Sequence, residues 1–497
     1  MGNITGDFIE NEIDNKKGQA SGGLIYNVGS TIGNITGNFY KNKVDSEVYV
    51  GLINNDNGTI GNITGDFIEN EIISEGGASI NGALIYNTKT IGNIKGNFIK
   101  NKVDSKMMSE LVKNTGNIES LVGDFVGNEV VASNAPTEGG MINNLGTITQ
   151  GIQSNFYRNK ISGYMSDGGI LRNSGSNLKV TGDFVENDVS STVAPIFGGI
   201  IYDISGSSSI YGSFVANKIA STTMVQGGII NAQGFSVLEG DFINNTISST
   251  GTLSLWGGVI YNLGNISNLK GNFIGNDTYF NYTGAIEAFA GGGAIYNSNR
   301  TINLTGSFIN NILRIDYASG VDAGLSGAAI ANEGIINLST TSAQKAIVFE
   351  NNKLIMKEGN NAAISKLNSI DFISATSVLN INTIENSYVN IRDPMRSVDQ
   401  GGKLYDATTG NRFDFGTINK SGAGSLYLWG DNSEYEGDFN VNGGTFYAMF
   451  EDKQDLVNDP LGQRLSFDLS NAVVLFADGT IFKPKVTNGQ IANIGNS

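Results

Sequence analysis

The fold is decided by residues 2–13, GNITGDFIENEI, which recur letter for letter at residues 61–72. A looser pattern within this stretch, Phe-X-X-Asn, occurs twelve times between residues 8 and 352. Its phenylalanines are Phe8, Phe39, Phe67, Phe98, Phe125, Phe156, Phe184, Phe214, Phe242, Phe273, Phe308 and Phe349. From Phe8 to Phe242, eight intervals span 234 residues, so one unit is about 29 residues long.

A second motif, a Gly pair followed by apolar residues and Tyr-Asn, precedes most copies and is complete at residues 22–27, GGLIYN. Each unit therefore contains three short runs rich in β-branched and aromatic residues, separated by Gly, Asn or Ser turns. The unit is too short for a propeller blade and lacks the leucine-rich-repeat pattern. We expect an all-β fold, a right-handed single-stranded parallel β-helix with about 29–30 residues per coil. Roughly sixteen coils, stacked about 4.8 Å apart, would make a rod of about 75–80 Å.

Strand periodicity places the side chains of one unit inside or outside the coil. Phe8 faces inward with Ile4, and after Phe8 the alternation slips, because Ile9 and Ile13 are apolar while Glu10 and Glu12 are charged. A bend between Phe8 and Ile9 would bury both apolar sets and turn Asn11 inward. The sequence thus predicts a stack of Phe rings beside a ladder of hydrogen-bonded Asn amides.

Charges flanking the motif Asn alternate in sign from one unit to the next: Glu10 and Glu12, Lys41 and Lys43, Glu69 and Glu71, Lys100 and Lys102, Glu129, Arg158 and Lys160, Glu186 and Asp188, Lys218. The residue before the Phe alternates between Asp and Asn or Ser in the same way. Such alternation favours direct stacking of successive units, where opposite charges attract. A regular ladder explains these carboxylates better than pairs of catalytic acids.

Composition excludes several classes of function. The 497 residues include 31 Lys and Arg, 47 Asp and Glu, no Cys and no His, which gives a net charge of −16. Nucleic acid and anionic membranes are therefore not expected as partners. Disulfides, thiolate nucleophiles and the commonest metal ligands are missing, and no apolar run is long enough for a membrane-spanning helix. We expect no cofactor and no resident metal, although calcium in an Asp and Asn loop stays open.

Three parts of the chain differ in regularity. The Gly-pair and Phe-X-X-Asn coils occupy residues 1–345, irregular coils are expected at 346–417, and a tighter motif opens the C-terminal part at 418–497. That motif is KSGAGSLYLWGDNSEYEGDFNVNGGTF at residues 420–446.

These motifs carry a resemblance. The Gly-pair motif alternating with Phe-X-X-Asn resembles the repeats of polymorphic outer-membrane proteins, a group of autotransporters, and residues 420–446 resemble the autotransporter-associated β-helix repeat, with Phe446 in place of its last Leu. The resemblance implies a passenger domain, secreted by type V secretion and displayed on a bacterial surface as an adhesin or stalk. The family's signal peptide and membrane barrel have no counterpart in these residues. We therefore expect a fragment that does not insert into the membrane and is anchored through a translocator outside this chain.

Binding residues are expected where the repeat is interrupted, because loops on a rigid scaffold usually carry recognition. Residues 277–291 and 312–326 are fifteen-residue connections on consecutive coils, where about ten residues are usual. They predict two adjacent loops that bind a glycan or a protein on another cell surface. The candidate residues are Tyr279, Phe280, Tyr282, Phe289, Arg314, Asp316 and Tyr317. The alternative is that these aromatics, and Trp256 with them, pack onto the rod as a local core.

Two other functions stay open. Parallel β-helices also host polysaccharide lyases and hydrolases, which need clustered Asp, Lys or Arg on one face. Arg392-Asp393 and Arg396 with Asp399 come nearest, and a solvated charged turn explains them better, so we expect no enzyme. A self-assembling filament subunit is the third reading, because the strand edges at the two ends of a solenoid allow end-to-end association.

Overall fold

The computed structural model describes residues 1–20, 23–74, 80–106, 109–429, 432–448, 464–467 and 472–476. Every regular element in these residues is a β-strand, and the strands stack as parallel coils. The predicted all-β parallel solenoid is therefore confirmed. In the same part of the chain, no helix is long and apolar enough to cross a membrane.

Each regular coil passes through four sheets in turn, which we name the TI, Phe, connection and IYN sheets. In the coil that begins at residue 208 the successive strands are Ser208–Tyr211, Phe214–Val215, Lys218–Ser221 with Val225–Gln226, and Ile230–Ala232. Four faces replace the three runs that the sequence predicts, because the connection after the motif Asn is itself extended.

The Phe sheet has sixteen strands in the described residues, in line with the predicted number of coils. They are Phe8–Ile9, Phe39–Tyr40, Phe67–Ile68, Phe98–Ile99, Phe125–Val126, Phe156–Tyr157, Phe184–Val185, Phe214–Val215, Phe242–Ile243, Phe273–Ile274, Phe308–Ile309, Ala346–Glu350, Tyr388–Ile391, Ser425–Leu428, Gly444–Ala448 and Ala472–Phe476. The IYN sheet has thirteen strands. They are Ile25–Val28, Ile53–Asp56, Ile85–Asn87, Val112–Asn114, Ile142–Asn144, Leu171–Asn173, Ile201–Asp203, Ile230–Ala232, Ile260–Asn262, Ile295–Asn297, Ile330–Asn332, Ile370–Phe372 and Arg396–Ser397.

The TI and connection sheets have nineteen described strands each. Those of the TI sheet are Ile4–Thr5, Thr31–Ile32, Ile35–Thr36, Thr59–Ile60, Ile63–Thr64, Thr90–Lys95, Asn117–Val122, Thr147–Ile148, Ile152–Gln153, Lys179–Thr181, Ser208–Tyr211, Phe235–Glu239, Ile266–Lys270, Thr301–Thr305, Ile335–Ser339, Val378–Asn382, Thr417–Ser421, Asp438–Val441 and Arg464–Phe467. Those of the connection sheet are Glu12–Ala20, Lys43–Val50, Glu71–Ser74, Ile80–Asn81, Lys102–Ser105, Glu129–Glu138, Lys160–Asp167, Asp188–Ser191, Ile196–Phe197, Lys218–Ser221, Val225–Gln226, Thr246–Gly251, Leu255–Trp256, Asp277–Tyr282, Glu287–Gly291, Ile312–Tyr317, Asp322–Ser326, Lys353–Glu358 and Ile364–Leu367.

The motif phenylalanines form one continuous stack, as predicted. Neighbouring ring centroids are separated by 4.4 Å at the closest pair, Phe98 and Phe125, and by 5.1 Å at the widest, Phe125 and Phe156. Apart from Phe8 in the first coil, every ring of the stack is fully buried. Burial of each ring contributes roughly 1.5–3 kcal/mol, so this column is a large part of the core.

The bend in the motif lies at a different residue from the one predicted. The residue two places after the Phe has a left-handed φ in all twelve units, from 51° at Glu10 to 64° at Gly275. The predicted bend between Phe8 and Ile9 is therefore wrong, and Ile9 points outward with 53 % of its surface exposed. The apolar position two residues after the motif Asn does face inward, since Val44 and Ile72 are fully buried.

The left-handed bend turns the motif Asn into the core, where the predicted amide ladder forms. Nδ2 of Asn42 donates to Oδ1 of Asn70 at 2.9 Å and to the backbone carbonyl of Phe8 at 2.9 Å. This link joins each motif Asn to the next from Asn11 to Asn352, and Asp393 accepts the last one at 2.8 Å. A second ladder, absent from the prediction, joins the Asn residues of the IYN sheet, beginning at Asn27 and Asn55.

The alternating charges lie one above another, as predicted. Glu71 is in register with Lys43 and Lys102, and Lys160 is in register with Glu129 and Asp188. Charged atoms approach to 3.5 Å between Lys102 and Glu71 and to 3.2 Å between Lys160 and Glu129. These pairs are solvent-exposed, so each contributes well under about 1 kcal/mol.

The three predicted parts of the chain share continuous sheets. Val378–Asn382 pairs with Ile335–Ser339 before it and with Thr417–Ser421 after it. The division at residues 345 and 417 stays a prediction, and most of 449–497 lies outside the described residues.

Reversal of one basic coil tests the charge ladder. Lys160→Glu places three acidic side chains in one column, so we expect the melting temperature to fall at low salt and to recover partly at high salt, where charges are screened. Lys179→Glu is the matched control, because Lys179 is in register with the neutral Ser209. Equal salt dependence of the two variants would contradict the ladder.

Removal of one buried amide tests the Asn ladder. Asn187→Ala deletes the acceptor of the Asn159 amide and leaves the Phe156 carbonyl without its donor. We expect the free energy of unfolding in a urea titration to fall by about 2–4 kcal/mol, because each unsatisfied buried group costs ~1–3 kcal/mol. Asn303→Ala, which removes a solvent-exposed amide pair with Asn337, is the control and should cost about 0.5 kcal/mol or less. Similar losses in both variants would show that burial of the amide is not what matters.

Candidate ligand-binding site

The two segments predicted as adjacent loops do lie side by side, but they are strands. Asp277–Tyr282 pairs in register with Ile312–Tyr317, and Glu287–Gly291 pairs with Asp322–Ser326. Each segment is thus two strands of the connection sheet joined by a short tip at residues 283–286 or 318–321. The extra residues widen the coil instead of forming free loops.

Two of the seven predicted site residues belong to the core. Phe280 is fully buried, Tyr282 is 7 % exposed, and their ring centroids are 5.7 Å apart. Strand alternation explains this, because Thr278, Phe280 and Tyr282 share the inward face of their strand. The prediction that Phe280 and Tyr282 offer a binding surface is therefore wrong.

Three of the predicted residues meet on the outward face of the same strands. The hydroxyl of Tyr279 donates to Oδ2 of Asp316 at 3.1 Å, and the guanidinium of Arg314 lies 4.7 Å from the Tyr279 ring centroid. Nη2 of Arg314 also contacts Asp277 Oδ2 at 2.7 Å. Burial and the charge of Asp316 raise the pKa of Tyr279, so its hydroxyl remains a donor. These outward side chains therefore contact one another across the two strands.

The remaining two residues are half-buried in different surroundings. Tyr317 packs against the main core, and burial raises its pKa. Phe289 lies beneath residues 401–403, where Nζ of Lys403 is 5.7 Å from its ring centroid. Trp256 joins a second apolar cluster with Tyr296 and Val398. Trp256 therefore follows the alternative prediction, in which the aromatic residues pack onto the rod as a local core.

The edge of the connection sheet is covered by two different elements. Lys353–Glu358 follows Ile312–Tyr317 in the stack and pairs antiparallel with Ile364–Leu367. The strand Asp322–Ser326 is instead covered by residues 400–402, and Ser326 Oγ donates to the carbonyl of Gln400 at 3.4 Å. The close packing of residues 400–402 on this strand requires glycine at position 324, because a Cβ on Gly324 would lie 1.5 Å from the carbonyl oxygen of Gly401.

A cavity of about 470 Å³ lies between these two covering elements. Its apolar side chains include Leu325, Leu354, Met356 and Ile364, and its polar ones include Lys366 and Lys403. Lys366 lies 3.8 Å from Glu434, and Lys403 forms an ion pair with Asp322. The full lining is Ala323, Gly324, Leu325, Leu354, Met356, Ile364, Lys366, Arg396, Gly401, Gly402, Lys403, Leu404, Tyr405 and Glu434.

A buried ion pair forms part of the cavity wall. Arg396 Nε donates to Asp371 Oδ1 at 3.0 Å, and Nη2 donates to the backbone carbonyl of Leu325 at 2.9 Å. The Asp371 carboxylate also accepts a hydrogen bond from the Gly327 backbone amide at 2.7 Å, so hydrogen bonds from the protein stabilise its negative charge. The expectation of a solvated turn at Arg392–Asp399 is therefore wrong at two residues, because Asp393 and Arg396 are both buried.

An apolar floor with paired charges at its rim suits the binding of an amphipathic ligand. The volume is in the range of small-ligand pockets, about 300–1,000 Å³. Within the described ranges, no three acidic side chains converge as a metal site. The cavity can accommodate the apolar face of a sugar ring or an apolar side chain, with Lys366, Lys403 and Tyr405 available for hydrogen bonds.

Sequence reasoning found the widened coils but not the cavity. The cavity joins residues far apart in the chain, such as Asp322 and Lys403, which the repeat does not relate. One usable signal is present at 358–361, EGNN, between two extended runs. Such a sequence predicts a hairpin, and Gly359 has a left-handed φ of 49°. Fold and cavity together define the class as a parallel β-solenoid repeat protein with a side pocket.

Comparison of the chain with protein-family models, with curated proteins and with solved structures gave no match in any of the three. The class therefore rests on the strands and the repeat themselves.

Two neighbouring aromatic substitutions separate core from surface in the widened coil. Phe280→Ala should lower the free energy of unfolding by about 3–5 kcal/mol, because it opens a cavity in the core. Tyr279→Ala should cost about 1 kcal/mol, because it removes one part-buried hydrogen bond. Urea titrations of both variants measure this difference, and comparable losses would show that the inward and outward faces are misassigned.

Proposed function

We propose that this chain is a rod-shaped passenger segment of a bacterial surface protein, which binds a glycan or protein ligand on another surface without catalysis. The cavity beside the two widened coils is the observation that carries the binding role. The resemblance of the repeats to autotransporter passengers supports the secreted, surface-displayed location.

Rigidity of the scaffold supports recognition at this position. The Phe stack and the Asn ladder hold the regular coils in register, so a site built on the sheet edge costs little ordering on binding. The exposed Ile364 and Tyr405 at the cavity give it an amphipathic surface. Aromatic and apolar side chains with a polar rim are common in both glycan and protein recognition.

Closure of the cavity tests the proposal. Ile364→Trp places a bulky ring at a residue that lines the cavity and is 64 % exposed, so the fold should be unaffected. We expect binding of the full chain to a glycan array and to cultured cells to weaken at least about tenfold. Val193→Trp, at a 53 % exposed residue of another coil, is the matched control and should bind like the parent.

Several outcomes decide the proposal. If the parent binds cells but no glycan, and protease treatment of the cells abolishes binding, the ligand is a protein. Equal binding by both Trp variants would remove the cavity from the proposal. A parent chain that binds neither array nor cells would overturn the adhesin role. Release of polysaccharide fragments during incubation would replace it with the β-helix enzyme.

A further inference from the structure

A buried Lys, Asn and Glu meet far from the cavity, on the outward side of the IYN sheet. Lys113 and Asn143 occupy equivalent positions in consecutive coils and are in register. Asn143 and Glu110 have no solvent exposure, and Lys113 has 9 %. A buried lysine and a buried glutamate are costly to desolvate, so their presence calls for an explanation.

Glu110 contacts Lys113, and Arg172 contacts Asn143. Nζ of Lys113 lies 3.0 Å from Oε1 of Glu110. Asn143 Oδ1 accepts a hydrogen bond from Nη1 of Arg172 at 3.4 Å, whereas Nδ2 of Asn143 makes no hydrogen bond. Both carboxyl oxygens of Glu110 and Nδ2 of Asn143 are shielded from solvent and have no hydrogen-bond partner. Amine, amide and carboxyl group thus share one dry site.

The surroundings adjust the protonation of the carboxyl group. Burial raises the pKa of Glu110 to about 7, although Lys113 and Asn143 both oppose this shift. Arg172 is balanced separately, at 3.1 Å from Glu138 and 3.9 Å from Asp167. A group with a pKa near 7 both accepts and returns a proton readily at neutral pH.

We propose that Lys113 and Asn143 form an intramolecular isopeptide bond, in which Nζ of Lys113 is joined to Cγ of Asn143 and two consecutive coils are covalently linked. This proposal is independent of ligand binding at the cavity.

The reaction balances without a co-reactant. Glu110 accepts a proton from Nζ of Lys113, and the neutral amine attacks Cγ of Asn143. Arg172, as hydrogen-bond donor to Oδ1, stabilises the negative charge that develops on this oxygen. The bond from Cγ to Nδ2 then breaks with its electron pair on nitrogen, which receives a proton through Glu110. The lysine ammonium and the asparagine amide become a secondary amide and ammonium.

Mass spectrometry of the folded full chain tests the bond. We expect an intact mass lower than that of the sequence by one ammonia, and a protease digest that contains one branched peptide with Lys113 and Asn143 together. Succinimide formation at an Asn-Gly sequence, such as Asn57-Gly58, also releases ammonia. The branched peptide distinguishes the two reactions. A full-mass parent, or separate linear peptides in full yield, overturns the proposal.

Variants separate the bond from a plain ion pair. Lys113→Arg keeps a cation beside Glu110, but the arginine guanidinium does not act as an amine nucleophile. This variant should therefore have the full mass of its sequence. Glu110→Gln should also retain full mass, because it lacks the proton acceptor. Lys89→Arg, at an exposed lysine, is the control and should still lose ammonia. Ammonia loss with the same branched peptide in Glu110→Gln would contradict the role of Glu110, and the parent mass decides the bond even if a variant does not fold.

Discussion

The whole rod depends on the buried side-chain amide of the motif Asn. From Asn42 to Asn311, each of these amides accepts hydrogen bonds from the Asn of the previous coil, donates to the Asn of the next coil and donates to the carbonyl of a Phe. Because parallel coils are in register, one amide satisfies another only if every coil has Asn at this place. The ladder therefore explains why Phe-X-X-Asn persists where the surrounding residues vary.

A backbone constraint follows from the ladder. To turn Asn inward directly after an outward residue, the chain adopts a left-handed conformation at the position before it, and ten of the twelve residues there are not glycine. This conformation costs about 1–2 kcal/mol for such a residue. The buried amide hydrogen bonds offset the cost, and the side chain at the bend points to solvent. Charged residues are therefore tolerated there, and Arg158 contacts Glu186 of the next coil at 2.5 Å.

Features repeated in every coil could be predicted from the sequence, and features specified once could not. The Phe stack, the Asn ladder and the charge columns follow from a period and from stacking. The position of the bend at Glu10 could not be predicted. The alternation of apolar and polar residues shows that a slip occurs between Phe8 and Asn11, but it does not show at which residue. The inward orientation of Phe280 does not follow from the length of the connection, which predicts a loop, although the alternation of its residues is that of a strand. The cavity depends on contacts between Asp322 and Lys403, which lie outside any repeat.

Regular stacking also explains where specific chemistry occurs along the rod. A ladder makes neighbouring coils alike, so a distinct surface requires a position at which the ladder is broken. The edge of the connection sheet is broken where an antiparallel strand, Ile364–Leu367, covers one part of it and residues 400–402 cover another, and the cavity lies between them. The IYN sheet is interrupted in a different way. Its equivalent outward positions in three consecutive coils are occupied by Lys113, Asn143 and Arg172. There the register itself brings an amine, an amide and a guanidinium into successive coils, and burial of Glu110 beside them makes their chemistry differ from that of the exposed charge columns.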